Sequence, residues 1–498
     1  MNPRSLRQDP EVPWMRRGRT PSRRLARTLA LVPAVLMVAI GGCVAPTGRG
    51  TEGLLAVPGG WTMAPAATAA TRGAAEGGSA PSGAPRPPGA VGPWWLAVDD
   101  PVLHRLLEQA GEVASVRVAR ERMDEAFASL RAARAVLAPT ITGAAGTRLS
   151  APGDGAVRQS IQDATLGIGH DFDLSGANRA RAEAARALAD ARAEAVDAAR
   201  IAAREMAVQL YAAYTGAAAQ RRITQQSVLA FESALALAAT RSRAGLGTQL
   251  DVVQAQAALA SARALLPRFE AARDSARLGL EALLGLLPGA LALPLAAIEA
   301  TPDVDPSLLL RTPLEVVAAR PDLRMAEREL EAASAATAAA VRDRWPRLSL
   351  DALVGVQAVR VPGPMVADGL VSSLFAGIAG PLFDAGRLAA RADAARARER
   401  AAAIAYRQAA LVALGEVEDG ISRFTQAHAE DALGSAAVAA AQARVEIARA
   451  RWRSGLTAFL DVVLAEQALQ ATQAQHVLSR VRTLDSFARL SAAIGAGG

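Results

Sequence analysis

The chain has 498 residues, about half of them hydrophobic, with few aromatic residues and a formal net charge of +7. Residues 1–42 hold eight arginines against two acidic residues, so the rest of the chain is close to neutral and a nucleic-acid-binding surface is excluded. Its richness in Ala, Arg and Glu is typical of long, closely packed helices rather than of one large globular core.

The N-terminus has the pattern of a secretion signal. An arginine-rich stretch at 16–27 precedes an apolar run at 29–40 that is too short to span a bilayer, and two glycines then precede Cys43, the only cysteine. These residues resemble the lipobox of bacterial lipoproteins. The resemblance implies a signal peptide over 1–42, covalent lipid on Cys43, and sorting to the outer membrane because Val44 rather than Asp follows. A lone buried thiol is the alternative.

Residues 43–93 are rich in Gly, Pro, Ala and Ser. Such a segment cannot bury enough apolar surface to fold alone. We therefore expect a flexible, lipidated linker between the membrane and the body of the protein, with order beginning at Trp94.

The remainder of the chain is a tandem repeat. The frame Arg-x-Arg-x-Gly-Leu-x-x-x-Leu-Asp-Val-Val occurs at 241–253 and again at 451–463, an offset of 210 residues. We assign the first repeat to 94–310 and the second to 311–498.

The first repeat begins with a helix from about residue 100 to residue 137, followed by a β-hairpin at 140–172 around a turn-rich loop. The segment 176–245 has no proline and predicts one long helix of about 100 Å, which ends at the Gly-Leu corner. A half-length helix at 250–286, with a kink expected at Pro267, leads into an irregular, proline-rich equatorial segment.

The second repeat has the same order: a helix that begins near Arg320, a hairpin at 347–382, a long helix at 386–455 and a half-length helix at 460–494. Residues 347–358 alternate most clearly between apolar and polar, as in a strand with one apolar face. Two half helices match one long helix in length. Each long helix should therefore lie beside two half helices, with the hairpins at one end and the Gly-Leu corners at the other.

Four strands cannot close a barrel, and an open sheet in lipid leaves unpaired backbone groups at its edges. Three copies that pool their strands give 12, an allowed number for a membrane barrel. The predicted fold is therefore mainly helical, with four strands per chain pooled in a trimeric β-barrel that continues into a long α-helical barrel.

This arrangement resembles the outer membrane factor family, the TolC-, OprM- and NodT-like outer membrane efflux proteins. The resemblance covers about residues 94–498 and is carried by Trp94-Trp95, by Arg320-Pro-Asp-Leu323, by Phe383-Asp-Ala-Gly-Arg387 and by the two Gly-Leu frames. With the lipobox, it points to the lipoprotein branch that serves RND-type drug efflux pumps. It implies a homotrimer in the outer membrane whose helical part lies in the periplasm, with a periplasmic adaptor (membrane fusion protein) and an inner-membrane RND transporter as partners.

The resemblance places Gly245-Leu246 and Gly455-Leu456 at the periplasmic tip, where adaptors dock. The residues alone predict that each glycine ends its helix as a C-cap, which is compatible with docking. Arg243 and Arg453 lie in the last turns of the long helices, where a cation complements the helix dipole, and adaptor contact is their alternative role.

The resemblance also matches Asp461 to an acidic ring that gates the family's channels at the tip. Three copies would place three carboxylates around a narrow axis, and Leu464 would add an apolar ring. Asp251 is the equivalent residue of the first repeat and the weaker gate candidate. The alternative is that each Asp only stabilises the start of a helix.

We expect no enzyme activity, no metal site and no cofactor other than the lipid on Cys43, because the histidines are scattered without ligand spacing (His104, His170, His428 and His476). The sequence favours a passive outer-membrane exit channel for drugs or other small molecules. The outer-membrane duct of a type I protein secretion system is one alternative. A non-conducting, lipid-anchored periplasmic coiled-coil scaffold is another, and the alternation at 347–358 argues against it.

Overall fold

The computed structural model describes residues 58–63, 94–150, 159–292, 313–360 and 366–496, and the residues from Thr51 onward form one unit. The predicted signal peptide, the lipidation site Cys43 and most of the equatorial segment lie outside the described residues. So do the tips of both hairpins.

The two repeats have the same sequence of elements. The first comprises a short 3-10 turn and then α1 (Pro101–Ala110), α2 (Ala114–Ala135), β1 (Thr140–Ser150), β2 (Gln159–Phe172), α3 (Ala177–Arg243) and α4 (Gln249–Leu284). The second comprises α5 (Pro313–Ala319), α6 (Pro321–Arg342), β3 (Arg347–Arg360), β4 (Val366–Ala379), α7 (Arg387–Arg453) and α8 (Phe459–Ala493). The long helices α3 and α7 have 67 residues each, or about 100 Å.

The first helix of the chain is broken, contrary to the single helix expected from residue 100 to residue 137. Gly111 stands where a Cβ would lie 2.8 Å from a guanidinium nitrogen of Arg204 on α3. Arg204 also donates to the carbonyl oxygen of Leu107 at 3.3 Å, which satisfies the end of α1. The chain therefore turns at Gly111 and starts again as α2. In contrast, α4 continues through Pro267.

The expectation that order begins at Trp94 is wrong for one part of the linker. Trp61 is half-buried and packs against the main hydrophobic cluster of the protein, which includes Trp94, Tyr211 and Phe487. The backbone N–H groups of Thr62 and Met63 donate to the carboxylate of Glu418 on α7. Residues 61–63 are thus docked on the body of the protein.

The helices pack side by side. The helix α3 contacts α2, α4, α6 and α8, and α7 contacts α6 and α8. Each long helix therefore contacts the two shorter helices of its own repeat, as the sequence predicts. The partners α2 and α6, which lead into the strands, have only 22 residues each and so are shorter than the 36-residue α4 and the 35-residue α8.

The main hydrophobic cluster lies near the middle of the two long helices. Tyr211 of α3 and Ile421 of α7 belong to it, with Trp94, Leu106 of α1 and Phe487 of α8. It thus forms where the short helices of each repeat meet, which is where the helix lengths place the breaks between the halves.

The four strands form one antiparallel sheet in the order β1-β2-β3-β4. The register pairs Ile168 with Ala352 and Ala352 with Leu374, so these side chains share a face. Most of the large apolar side chains of the sheet lie on that face, among them Ile141, Leu166, Val354, Val356, Leu370 and Ile378. The opposite face carries mostly polar side chains, including those of Asp163, Thr165, Ser349, Asp351 and Gln357. The strands β1 and β4 each have one neighbour, so the sheet has two open edges.

Among the described residues, none of the helices has the length and hydropathy needed to cross a membrane.

Candidate functional site

The two Gly-Leu corners have the same geometry. Gly245 and Gly455 have positive φ angles of 69° and 72°. After α3, the N–H of Gly245 donates to the carbonyl of Ser242 and the N–H of Leu246 donates to that of Arg241. The corner after α7 repeats both bonds. This pair of bonds defines a Schellman motif, so the predicted capping role of both glycines is confirmed.

The two corner leucines are exposed. The Schellman motif usually brings the residue after the glycine into a hydrophobic contact with the last turn of the helix. Here Leu246 keeps 71% and Leu456 keeps 70% of its accessible surface. Helix capping therefore uses the glycine and leaves the leucine side chain available.

Arg241 connects the two corners. One of its guanidinium nitrogens donates to the carbonyl oxygen of Arg453 at 3.2 Å, and the other lies 3.5 Å from the carbonyl oxygen of Leu246. Its guanidinium carbon lies 5.3 Å from the ring centroid of Trp452, a cation–π contact. One arginine thus joins the end of α3 to the end of α7.

A small core lies behind this connection. Trp452 packs against Phe459 at 4.9 Å between ring centroids, and both belong to a cluster with Phe231 of α3 and Leu259 of α4. All four helices that reach the tip contribute to the cluster. The pair α3–α4 and the pair α7–α8 are therefore held together at this end.

Arg241 and Trp452 are not among the tip residues that the sequence predicts. Arg243 and Arg453 lie in the last turns of the long helices, as predicted. Arg243 donates to the hydroxyl of Thr240, and Arg453 donates to the carbonyl oxygen of Arg449 in the preceding turn of its own helix. One sign of Arg241 was present in the sequence: it is the first arginine of the repeated frame, which recurs in both repeats as the second arginine does.

The two aspartates of the frame differ in their surroundings. Asp251 forms a capping box with Thr248: the Asp251 N–H donates to the Thr248 hydroxyl at 3.2 Å, and the Thr248 N–H donates to the Asp251 carboxylate at 3.1 Å. Asp461 has Ala458 at the corresponding position, which offers no side-chain cap. The Asp461 carboxylate is exposed and makes no hydrogen bond or ion pair within the part of the chain that the structure describes. Leu464, three residues further on, is also exposed.

A second polar cluster lies near the middle of the long helices. Arg320 is nearly buried, and its guanidinium donates to the carboxylates of Asp322 and Glu416 and to the carbonyl oxygen of Ala493. Burial raises the pKa of Asp322, but the bonds from Arg320 outweigh burial and hold the pKa below its usual value. Arg320 thus joins the start of α6, the end of α8 and the middle of α7.

The first repeat has its own buried polar contact at this level. The Tyr211 hydroxyl donates to the carboxylate of Asp100, whose other oxygen accepts from the N–H groups of Val102 and Leu103 at the start of α1. Burial, followed by the hydrogen bond to Asp100, raises the pKa of Tyr211 well above its ordinary value. The phenol therefore stays protonated and keeps α1 on α3.

No group of His, Cys, Asp and Glu among the described residues has the arrangement of a metal site. His476 lies 3.0 Å from a carboxylate oxygen of Asp431, and His104 lies 2.6 Å from the carbonyl oxygen of Val98. His476 thus contacts the neighbouring α7, and His104 contacts the segment that precedes α1.

Comparison with known proteins gives concordant results. A family model described as outer membrane efflux protein matches residues 106–286 and 313–496. The outer membrane protein OprJ of Pseudomonas aeruginosa is 30% identical over 386 residues, which are 75% of this chain and 80% of OprJ. The pyoverdine export outer membrane protein OpmQ of Pseudomonas putida is 27% identical over 426 residues, which are 81% of this chain and 88% of OpmQ. The solved structure of the outer-membrane channel OprN superposes with a TM-score of 0.76 at 27% identity and covers 83% of this chain and 95% of the OprN chain.

Proposed function

The chain belongs to the outer membrane efflux protein family, and on this basis we propose that it is the outer-membrane exit channel of a tripartite efflux system. In this role it is a passive duct for drugs or other small molecules. An RND-type transporter in the inner membrane supplies the cargo through a periplasmic adaptor.

The four-stranded sheet carries the proposal. Its strands are 11 to 14 residues long, enough to cross the hydrocarbon core when tilted. One face presents rows of exposed apolar side chains such as Leu370 and Leu374, and the other is mostly polar. A sheet of this kind fits a barrel wall with lipid outside and water inside.

The open edges of the sheet support a homotrimer. Unpaired backbone groups at the edges of β1 and β4 are costly in lipid, so these edges must pair with other copies. Three copies supply twelve strands and close the barrel. The helices have room for further neighbours in the same sense, because among the described long and half-length helices α3 contacts four others and α7 contacts only α6 and α8.

The tip, which is the end of the helices at the two Gly-Leu corners, presents side chains to which an adaptor can bind. Leu246 and Leu456 are exposed although the corners fold without them. Exposed apolar side chains on rigid, capped corners are suitable anchors for a partner helix. We propose that these leucines contact the adaptor, with Gly245 and Gly455 fixing their positions and Arg243 and Arg453 beside them.

Asp461 is the gate residue in this proposal. Its carboxylate is free, whereas that of Asp251 is engaged in a capping box. Three such carboxylates around the axis of a trimer favour cations at the constriction, and Leu464 adds an apolar ring one turn away.

The remaining parts of the proposal concern attachment and cargo. The lipobox supports a diacylglycerol on Cys43 that holds the N-terminus in outer-membrane lipid. The relative named for pyoverdine export supports small molecules over secreted proteins as cargo.

Conductance of the purified full-length trimer in planar lipid bilayers tests the proposal. We expect ion-conducting channels, and Asp461→Asn should lower the preference for cations over anions because it removes the carboxylate ring. Asp251→Asn is the matched control and should leave ion selectivity unchanged. A trimer that never conducts, even as the Asp461→Asn variant, would refute the channel and favour the scaffold.

A further inference from the structure

Residues 61–63 are held to α7 by one carboxylate. Glu418 accepts from the Thr62 N–H at 2.7 Å, from the Thr62 hydroxyl at 2.9 Å and from the Met63 N–H at 2.9 Å. Both carboxylate oxygens are used, and such charge-assisted bonds are the stronger kind of hydrogen bond. Trp61, the preceding residue, packs against the main hydrophobic cluster. The contact thus combines hydrogen bonds to one carboxylate with the packing of an apolar side chain.

The place of this contact in the chain limits the reach of the N-terminus. Cys43 precedes Trp61 by 18 residues, and whatever their path, 18 residues span at most about 60–65 Å. Glu418 lies 31 residues from the start of α7 at the sheet-side end, or about 46 Å along the helix. Without the contact, the 51 residues from Cys43 to Trp94 could span on the order of 170 Å.

We propose that Trp61, Thr62, Met63 and Glu418 form a clasp that sets the length of the lipid tether. With the clasp closed, the acylated cysteine stays within about 60–65 Å of the middle of α7, which exceeds the distance to the sheet-side end by only about 14–19 Å. The clasp thereby limits how far the body of the channel can move or tilt away from the membrane that holds the lipid. The inference rests on the proposed acylation of Cys43.

Hydrogen–deuterium exchange of the full-length protein in lipid nanodiscs tests the clasp itself. Glu418→Ala should speed the exchange of the Thr62 and Met63 amides by at least about tenfold, because both amides lose a charged acceptor. Glu399→Ala is the matched control: it removes a carboxylate from the same helix, 19 residues away, and should change nothing. Equal exchange in the wild type and Glu418→Ala would overturn the clasp.

Shortening the tether tests its length. Deletion of 49–54 leaves 12 residues between Cys43 and Trp61, which span at most about 40–43 Å and cannot cover the 46 Å. In the acylated protein, this deletion should open the clasp and speed the exchange of the same two amides. Replacement of 49–54 by six Gly and Ser residues keeps the length and should leave the clasp closed.

The same deletion in an unacylated protein, secreted behind an ordinary cleavable signal peptide, should also leave the clasp closed. Continued protection of Thr62 and Met63 in the acylated deletion protein would refute the tether-length role. Intact mass spectrometry reports acylation of Cys43 separately. A chain without lipid would therefore disprove the proposed anchor, whereas the Glu418→Ala result would still decide the clasp.

Discussion

The Gly-Leu corners offer a quantitative test of the tip. Replacing Gly245 by Ala forces a residue with a Cβ into a left-handed conformation at φ 69°, which costs about 1–2 kcal/mol. The alanine also restricts the unfolded chain, which offsets about 0.4–1 kcal/mol of this cost. No atom lies within 4 Å of the new Cβ, so steric overlap adds nothing. The corner should therefore open more easily by about 1 kcal/mol, which corresponds to about a fivefold change in the opening equilibrium.

Amide exchange at Leu246 measures this opening, because its N–H donates to the Arg241 carbonyl oxygen only while the corner is folded. Gly245→Ala should speed that exchange by about fivefold, and Gly455→Ala should do the same at Leu456. Gly245→Asn is the matched control, because Asn is larger than Ala but adopts the left-handed conformation more readily. If Asn disturbed the corner as much as Ala, the size of the side chain and not the backbone angle would be decisive, and the reasoning would be refuted.

Three further predictions concern other residues. Replacing both Leu246 and Leu456 by Ser should change the free energy of unfolding by less than about 1 kcal/mol but weaken adaptor binding by about 1–2 kcal/mol per leucine. Surface plasmon resonance with the adaptor of the cognate pump measures the binding. Unchanged binding would contradict the docking role. Tyr211→Phe should destabilise the fold by about 1.5–3 kcal/mol, because the buried carboxylate of Asp100 loses its donor, and an unchanged melting temperature by circular dichroism at neutral pH would count against this. Burial raises the pKa of Glu205 in the folded protein. The contribution of this group to the free energy of unfolding is therefore fully present below the ordinary carboxyl pKa, where the carboxyl is protonated, and it is lost as the pH rises through the raised pKa. Glu205→Gln should therefore raise the melting temperature at pH 8 but not at pH 4, and an equal effect at both pH values would exclude titration of this group as the cause.

The long helices and the strands were predictable because their signals are local. A proline-free run bounded by glycines gives a helix at 176–245, and the structure has it at Ala177–Arg243. Period-2 alternation gives a strand at 347–358, and β3 spans Arg347–Arg360. The capping of both Gly-Leu corners is equally local, since it needs only a glycine with a free choice of φ.

The features that the sequence did not predict depend on contacts between distant residues. The break at Gly111 is stabilised by Arg204, which lies 93 residues later. The docking of residues 61–63 depends on Glu418, more than 350 residues away, and the Gly- and Pro-rich composition around Trp61 gives no sign of it. Arg241 is one of two arginines in the frame, and only the approach of α7 to α3 decides which one connects the corners.

The availability of Asp461 illustrates how one substitution between the repeats separates their roles. The frames share the aspartate, but its partner three residues earlier is Thr248 in the first repeat and Ala458 in the second. The Thr248 hydroxyl accepts from the Asp251 N–H and so completes a capping box in which the Asp251 carboxylate accepts from the Thr248 N–H. The methyl group of Ala458 offers no acceptor, and α8 has no side-chain cap. The first repeat therefore uses its aspartate to stabilise a helix end. The second gives up that contribution, typically about 0.5–2 kcal/mol for a capping residue, and keeps a free carboxylate at the tip. A carboxylate without a partner in its own chain remains available to other groups, and this difference favours Asp461 over Asp251 as the proposed gate.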